Sequence, residues 1–230
     1  MREIVLDTET TGLDPLDGHR LVEVGCVELV NRIPSGHTFH AYFNPERGMP
    51  AEAFAVHCLS EQFLKDKPFF VETADDLIAF LGDAPLVIHN AAFDLGFLNA
   101  ELERAGRPLI ARERLVDTLL IARRKHPGGS NRLDDLCVRY AIDNSRRTKH
   151  GALLDAELLA EVYIDLIGAR QSSLVLAETQ STSIRIVDAP RRVRDVPLPP
   201  RLTAEETEAH RAFVATLGDK PLWGEFSDAE

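Results

Sequence analysis

Ile4-Val5-Leu6-Asp7-Thr8-Glu9-Thr10-Thr11-Gly12 is the stretch on which the fold turns. Ile4–Leu6 is a short apolar run of the kind that forms a strand covered on both faces. It ends on two carboxylates, Asp7 and Glu9, whose i, i+2 spacing sets both side chains on one side of an extended chain. Two like charges at the end of a buried strand repel each other and are costly to desolvate. A cation is therefore expected between them, and hard divalent ions take carboxylate oxygen. Thr10-Thr11-Gly12 is expected to turn the chain out of the strand. A lone pair of such acids more often marks the solvated start of a loop, so matching acids elsewhere in the chain must decide.

The 230 residues suffice for one full core with length to spare. An apolar fraction of 44% with 27% charged residues is ordinary for a globular chain. No apolar run approaches the ~20 residues of a membrane span, and the chain enters a strand with no basic-then-apolar leader. Cys26, Cys58 and Cys137 are odd in number and lack metal-site spacing. They are expected as buried thiols of a cytoplasmic protein. A net charge of −11 argues against coating nucleic acid by charge alone, but not against gripping a few nucleotides through metal ions.

Onward from the opening strand, Arg20–Val30 and His37–Phe43 are expected as strands joined through Asn31–Gly36, giving an antiparallel meander. A Pro/Gly-rich loop leads to Glu52-Ala53-Phe54-Ala55-Val56-His57. Ser60–Leu64 and Thr73–Leu81 are expected helices. Leu86–Asn90 is a short buried strand, and the helix Ala91–Ala105 is stopped by Gly106 and Pro108. Leu115-Val116 is a brief strand, with Asp117 capping a helix toward Arg124. Asn131 is expected to cap the next helix, through Leu133, Leu136, Cys137 and Tyr140. A basic loop, Ser145–Gly151, precedes the strongest helical pattern, Ala152–Ile167. Strands first, then strands and helices mixed, imply an α/β fold with a mixed central sheet flanked by helices. Residues 1–170 form the expected domain, 171–200 a flexible Ser/Thr- then Arg/Pro-rich linker, and 201–230 a tail with a weak helix opened by a Thr203/Glu206 capping box.

The matching acids are in these helices. From Asp155, the apolar stripe runs through Leu158, Leu159, Val162, Tyr163 and Leu166, while Glu157, Glu161 and Asp165 fall on the other side. From Asp94, it runs through Phe97, Leu98, Leu102 and Ala105. Each helix thus begins with an acid on its inward face. First-turn dipole complementation would explain either one alone, but two such helices and a strand ending in two acids are harder to dismiss. Four carboxylates from three elements can enclose a pair of divalent ions of the kind used for in-line attack on phosphate esters. His150, in the loop before Asp155, suits a general base that activates water. It is otherwise an exposed loop histidine. Neighbouring Arg146, Arg147 and Lys149 favour its neutral form and can meet phosphates.

Three blocks carry a resemblance: Asp7-Thr8-Glu9-Thr10-Thr11-Gly12-Leu13, His89-Asn90-Ala91-Ala92-Phe93-Asp94 and His150-Gly151-Ala152-Leu153-Leu154-Asp155-Ala156. In this order they resemble the DEDDh 3′–5′ exonuclease family, and within it the epsilon proofreading subunits of bacterial DNA polymerase III. The resemblance implies a ribonuclease H-like fold over roughly residues 2–168. It implies two Mg²⁺ or Mn²⁺ ions held by Asp7, Glu9, Asp94 and Asp155, with Asp7 bridging them and His150 as general base. It further implies that the strand end bearing Asp7, Thr8 and Glu9, together with Glu52, His57 and Asp155, meets the terminal nucleotide of a single-stranded or mispaired DNA 3′ end. His57 reads otherwise as a core histidine, and Asp117 either as an acid near the site or as an N-cap.

Gln171-Ser172-Ser173-Leu174-Val175-Leu176 resembles the family's sliding-clamp-binding segment, through Gln171, Leu174 and Leu176. The region of Trp223 and Phe226 resembles the tail that docks on the polymerase alpha subunit. Two rival readings stand beside the proofreading one. An RNA-processing member of the family is disfavoured by the long tail, and a non-catalytic polymerase and clamp adaptor by the complete acid set with His150.

Overall fold

A computed structural model describes residues 1–145, 147, 149–169 and 201–217. The strands are β1 (Arg2–Thr10), β2 (Leu21–Val30), β3 (Ile33–Tyr42), β4 (Leu86–Ile88) and β5 (Leu115–Asp117), in the order β3-β2-β1-β4-β5. The first three pair antiparallel, and β4 and β5 add parallel to β1. The helices are α1 (Ala51–His57), α2 (Glu61–Leu64), α3 (Phe70–Leu81), α4 (Ala91–Arg104), α5 (Thr118–Lys125), α6 (Leu133–Arg139), α7 (Ala152–Leu166) and α8 (Ala204–Ala215). The mixed sheet with flanking helices is the one the sequence pattern implies. Helix α8 belongs to a separate unit and opens on the expected Thr203/Glu206 capping box. Among the described residues no helix is long and apolar enough to cross a membrane. The 171–200 segment lies outside the described residues, as do residues 218–230.

Strand alternation divides the core. Ile4, Leu6, Leu86 and Ile88 pack with the buried side chains of α3 and α4, including Leu77, Phe97 and Leu98. Val5, Val27 and Val87 pack on the other face with Leu136, Leu159 and Val162 of α6 and α7. Asp7 and Glu9 continue the row of Val5 and therefore belong to the α7 face. The chain approaches itself closely there. Gly25 of β2 is paired with Asp7, and a Cβ on it would lie 2.2 Å from the Leu153 backbone nitrogen and 2.3 Å from the Ala152 carbonyl carbon. Only a glycine lets the first turn of α7 sit this near the sheet.

Four expectations are corrected. β1 takes in both acids, as their spacing implies, but runs on to Thr10, which was expected in the turn, with a register shift between Glu9 and Thr10. The hairpin is tighter than Asn31–Gly36: Asn31 (φ 52°) and Arg32 (φ 66°) alone make the turn, and β3 starts at Ile33. Positive φ at both positions is the requirement of a two-residue turn matched to strand twist, and Pro34 is tolerated because β3 is the edge strand. Glu52–His57, left without a secondary structure by the sequence, lies in α1. Asn131 does not cap α6, where Arg132 holds the N-cap position. Asn131 is buried, and its amide donates to the Gly129 carbonyl at 2.9 Å.

A carboxylate-lined candidate active site

Asp7, Glu9, Asp94, Asp155 and His150 line one cavity of about 840 Å³. Asp7 and Glu9 come from β1. Asp94 comes from the first turn of α4 and is 3% exposed. That helix begins where Asn90 adopts a left-handed conformation (φ 68°), and Asp117 accepts from the Ala91 N–H at 3.3 Å. Asp155 comes from the first turn of α7 and is 2% exposed. The inward stripes expected from both acids are the faces that pack. Glu9, His150 and Asp155 are the tightest group: one donor atom from each lies within 4.8 Å of the other two. Asp7 lines the same cavity and feels the charges of Asp94, Glu9 and Asp155.

The four acids feel different surroundings. Burial, with Asp94, Glu9 and Asp155 adding like charge, holds Asp7 well above the usual carboxylate range. Burial and the charges of Asp155, Glu23 and Asp94 push Glu9 up to about 8. Burial pushes Asp94 up to about 7, although the Thr8 hydroxyl donates to its Oδ1 at 2.6 Å and works against the rise. Asp155 moves the other way: burial alone would raise it, but His150 and the Arg147 guanidinium hold it below its ordinary value.

Arg147 is therefore placed differently from the expected phosphate contact. Its side chain is 6% exposed. Nε and Nη2 donate to the two oxygens of Asp155 at 2.5 and 2.7 Å, and Nη1 lies 2.6 Å from Asp134 of α6. Nη2 also lies 2.7 Å from His150 Nδ1, and Asp155 Oδ2 is 3.3 Å from the same atom. A guanidinium only donates, so the shorter contact makes Nδ1 an acceptor and leaves the ring proton on Nε2. Lys149 is exposed, and Arg146 lies outside the described residues.

A second cavity of about 590 Å³ shares Thr8, Glu9 and Phe93 with the first. Glu52 and His57 line it, with Leu13, His19 and Val56. His57 is buried and Nδ1 accepts from the Leu59 N–H at 3.0 Å. Burial lowers its imidazole, and the Thr10 backbone counters part of this. Asp117 resolves as an N-cap, accepting from the Leu119 and Leu120 N–H groups at 2.9 and 3.3 Å, and it does not line the acid cavity. Gln171, Leu174, Leu176, Trp223 and Phe226, expected as partner contacts, lie outside the described residues.

The sequence reading passed over Phe93, Leu13, His19 and Asp134. Phe93 and Leu13 stand inside the quoted blocks; Phe93 adjoins the inward acid Asp94, which was the available signal, while Leu13 follows Gly12 at the end of the first block. Nothing local marked Asp134 or His19, which reach the site through tertiary packing.

Residues 4–163 match the family model described as Exonuclease, RNase_T. The chain is 46% identical to the DNA polymerase III subunit epsilon of Rickettsia felis, over 94% of this chain and 97% of the relative. It is 45% identical to that of Escherichia coli K12, over 96% and 97%. Among solved structures it is similar to exonuclease X in complex with 5′ overhanging duplex DNA (TM-score 0.54, 25% identity, 72% of this chain and 91% of the other). It also shares its fold with the nuclease domain of 3′hExo, a DEDDh family member bound to rAMP (TM-score 0.60, 16% identity, 72% and 91%).

Proposed function

The chain belongs to the RNase_T exonuclease family, and from that premise we propose that it is the proofreading 3′–5′ exonuclease subunit of a replicative DNA polymerase. It removes 3′-terminal nucleotides from DNA as deoxynucleoside 5′-monophosphates. One observation carries the reading: the acid cavity opens beside a second, partly apolar cavity large enough for a nucleotide, in a chain similar over nearly its whole length to DNA polymerase III epsilon subunits.

DEDDh-type exonucleases use divalent metals, and the residues here fit such ions. The donors are carboxylate oxygens and one imidazole on a polar cavity wall. Three of the four acids are held toward the protonated form because burial and mutual repulsion outweigh the cationic charge within reach. Two Mg²⁺ or Mn²⁺ ions held by Asp7, Glu9, Asp94 and Asp155 would supply Lewis acidity toward the phosphate and the attacking water.

The protein's own groups do the rest. His150 takes a proton from the attacking water at a ring nitrogen. Thr8 fixes the rotamer of Asp94 through its 2.6 Å hydrogen bond. Leu13, Val56 and Phe93 offer the terminal base an apolar wall, and Glu52 and His57, which line the same cavity, offer polar contacts to its sugar. A mispaired terminus is preferred because it costs less to unstack and thread as a single strand. The polymerase alpha subunit is the partner of the tail around Trp223 and Phe226, and the sliding clamp that of Gln171–Leu176.

Release of mononucleotides from mispaired and paired primer ends, with and without the polymerase subunit, tests this reading. Faster removal of the mispaired end is expected, with a loss of roughly 10³-fold in Asp7→Ala. Equal rates on both ends, or wild-type turnover in Asp7→Ala, would sink it.

A further inference from the structure

Arg147 offers an observation that the proposed function does not use. It lies on the loop before α7, yet its side chain is 6% exposed and its guanidinium is saturated with partners inside the site. Both oxygens of Asp155 are engaged at 2.5 and 2.7 Å. The outer nitrogen Nη1 is anchored on Asp134 of α6 at 2.6 Å. Nη2 is shared with His150 Nδ1 at 2.7 Å. Asp7, Glu9 and Asp155 all feel this one cation.

We propose that Arg147 is the resting counter-ion of the acid cluster, and that a divalent cation binds by exchange, taking Asp155 from the Arg147 guanidinium. The inference rests on the reading of that cluster as a divalent-cation site. Its logic is steric and electrostatic. A fork that fills both oxygens of a carboxylate leaves poor access for a second cation on the same face. A buried carboxylate with no counter-charge is strongly unfavourable, so Asp155, 2% exposed, needs a cation of the chain's own when no metal holds it. The exchange has a second consequence. The contact that occupies Asp155 also occupies Nδ1 of His150, so release of Arg147 frees a ligand and the proposed base together. Asp134 is the tether that keeps the departing guanidinium near, where the phosphates of a bound strand would meet it. Arg147 is thus a positioning residue that sets when the cluster is open.

The test is calorimetric titration of the full chain with Mn²⁺, with thermal midpoints in chelator and in saturating Mn²⁺, for wild type, Arg147→Lys and Arg147→Ala. Lysine keeps the charge but not the two-pronged grip. Expected are Mn²⁺ binding at least about fivefold tighter in Arg147→Lys and tighter again in Arg147→Ala. In chelator the Arg147→Ala midpoint should fall by about 5 °C or more, and this deficit should close in Mn²⁺. A lysine variant that binds like wild type reduces Arg147 to a general charge effect and overturns the exchange. A deficit that persists in Mn²⁺ makes Arg147 a structural strut and overturns it too. If Arg147→Ala does not fold without metal, Arg147→Lys still decides. A wild-type chain that takes up no Mn²⁺ removes the cation-site reading itself, an outcome distinct from wild-type binding that Arg147 does not affect.

Discussion

Asp7, Glu9, Asp94 and Asp155 are chemically similar and lie within one cavity, yet they titrate in opposite directions. The difference is the partner each one has. Asp155 has a guanidinium on both of its oxygens; Glu9 has other acids. For Glu9 the folded-state value near 8 stands above its ordinary 4.5, so the folded chain binds the proton more tightly than the unfolded chain. Its stabilising contribution is present in full below about 4.5 and is lost as pH rises through 8; Asp94, near 7, acts in the same sense. In chelator the thermal midpoint should therefore fall between roughly pH 5 and pH 8, and Mn²⁺ should flatten that slope. A midpoint in chelator that rises across this window would contradict the placement of Glu9 and Asp94. Thr8 gives a sharper test. Thr8→Val keeps the shape but removes the 2.6 Å donor to Asp94. Its loss should cost about 1–2 kcal/mol of organisation, read as a five- to thirtyfold fall in turnover with little change in melting midpoint.

The elements that carry the acids were legible where a period carried them. The stripes of α4 and α7 repeat every 3.6 residues, so an acid at the head of the stripe stands out, and both faces pack as the spacing requires. What sets the two halves of the site against each other was not legible, because it is a contact between distant residues. Gly25 looks like an ordinary strand glycine until the backbone of Ala152 and Leu153 is seen pressed on it. Gly25→Ala must push α7, and Asp155 with it, off the sheet. A loss of about 3 kcal/mol or more of unfolding free energy is expected, together with much weaker Mn²⁺ binding; a near-neutral denaturant midpoint would refute the close approach. Arg147 was illegible for a related reason: a basic loop reads as solvated, and nothing in Ser145–Gly151 shows that one of its arginines turns inward. Turn chemistry explains the missed hairpin boundary. Asn31 tolerates positive φ, but Arg32 at φ 66° does so at a cost of about 1 kcal/mol. Arg32→Gly should accordingly stabilise the chain by about 0.5–1 kcal/mol in denaturant melts and leave turnover unchanged.

At the scale of the whole molecule, every side chain assigned to the proposed chemistry lies between Asp7 and Asp155, inside the unit built on the mixed sheet. The net charge of −11 belongs to a chain that must nonetheless receive a polyanion, which is consistent with substrate held by ions and a few fixed contacts rather than by a broad basic surface. Helix α8 has a different character. None of its residues is buried, and Phe213 is among its exposed side chains. A segment that keeps apolar side chains in water is better suited to gripping a partner than to supporting a core. A chain ended after residue 175 should hold its melting midpoint within about 2 °C in Mn²⁺ and its turnover on single-stranded DNA within about twofold. Association with the polymerase subunit, followed by size-exclusion chromatography, should be lost. Retained co-elution would move the polymerase contact onto the nuclease unit, and a collapse of turnover would make the C-terminal residues part of the catalytic body.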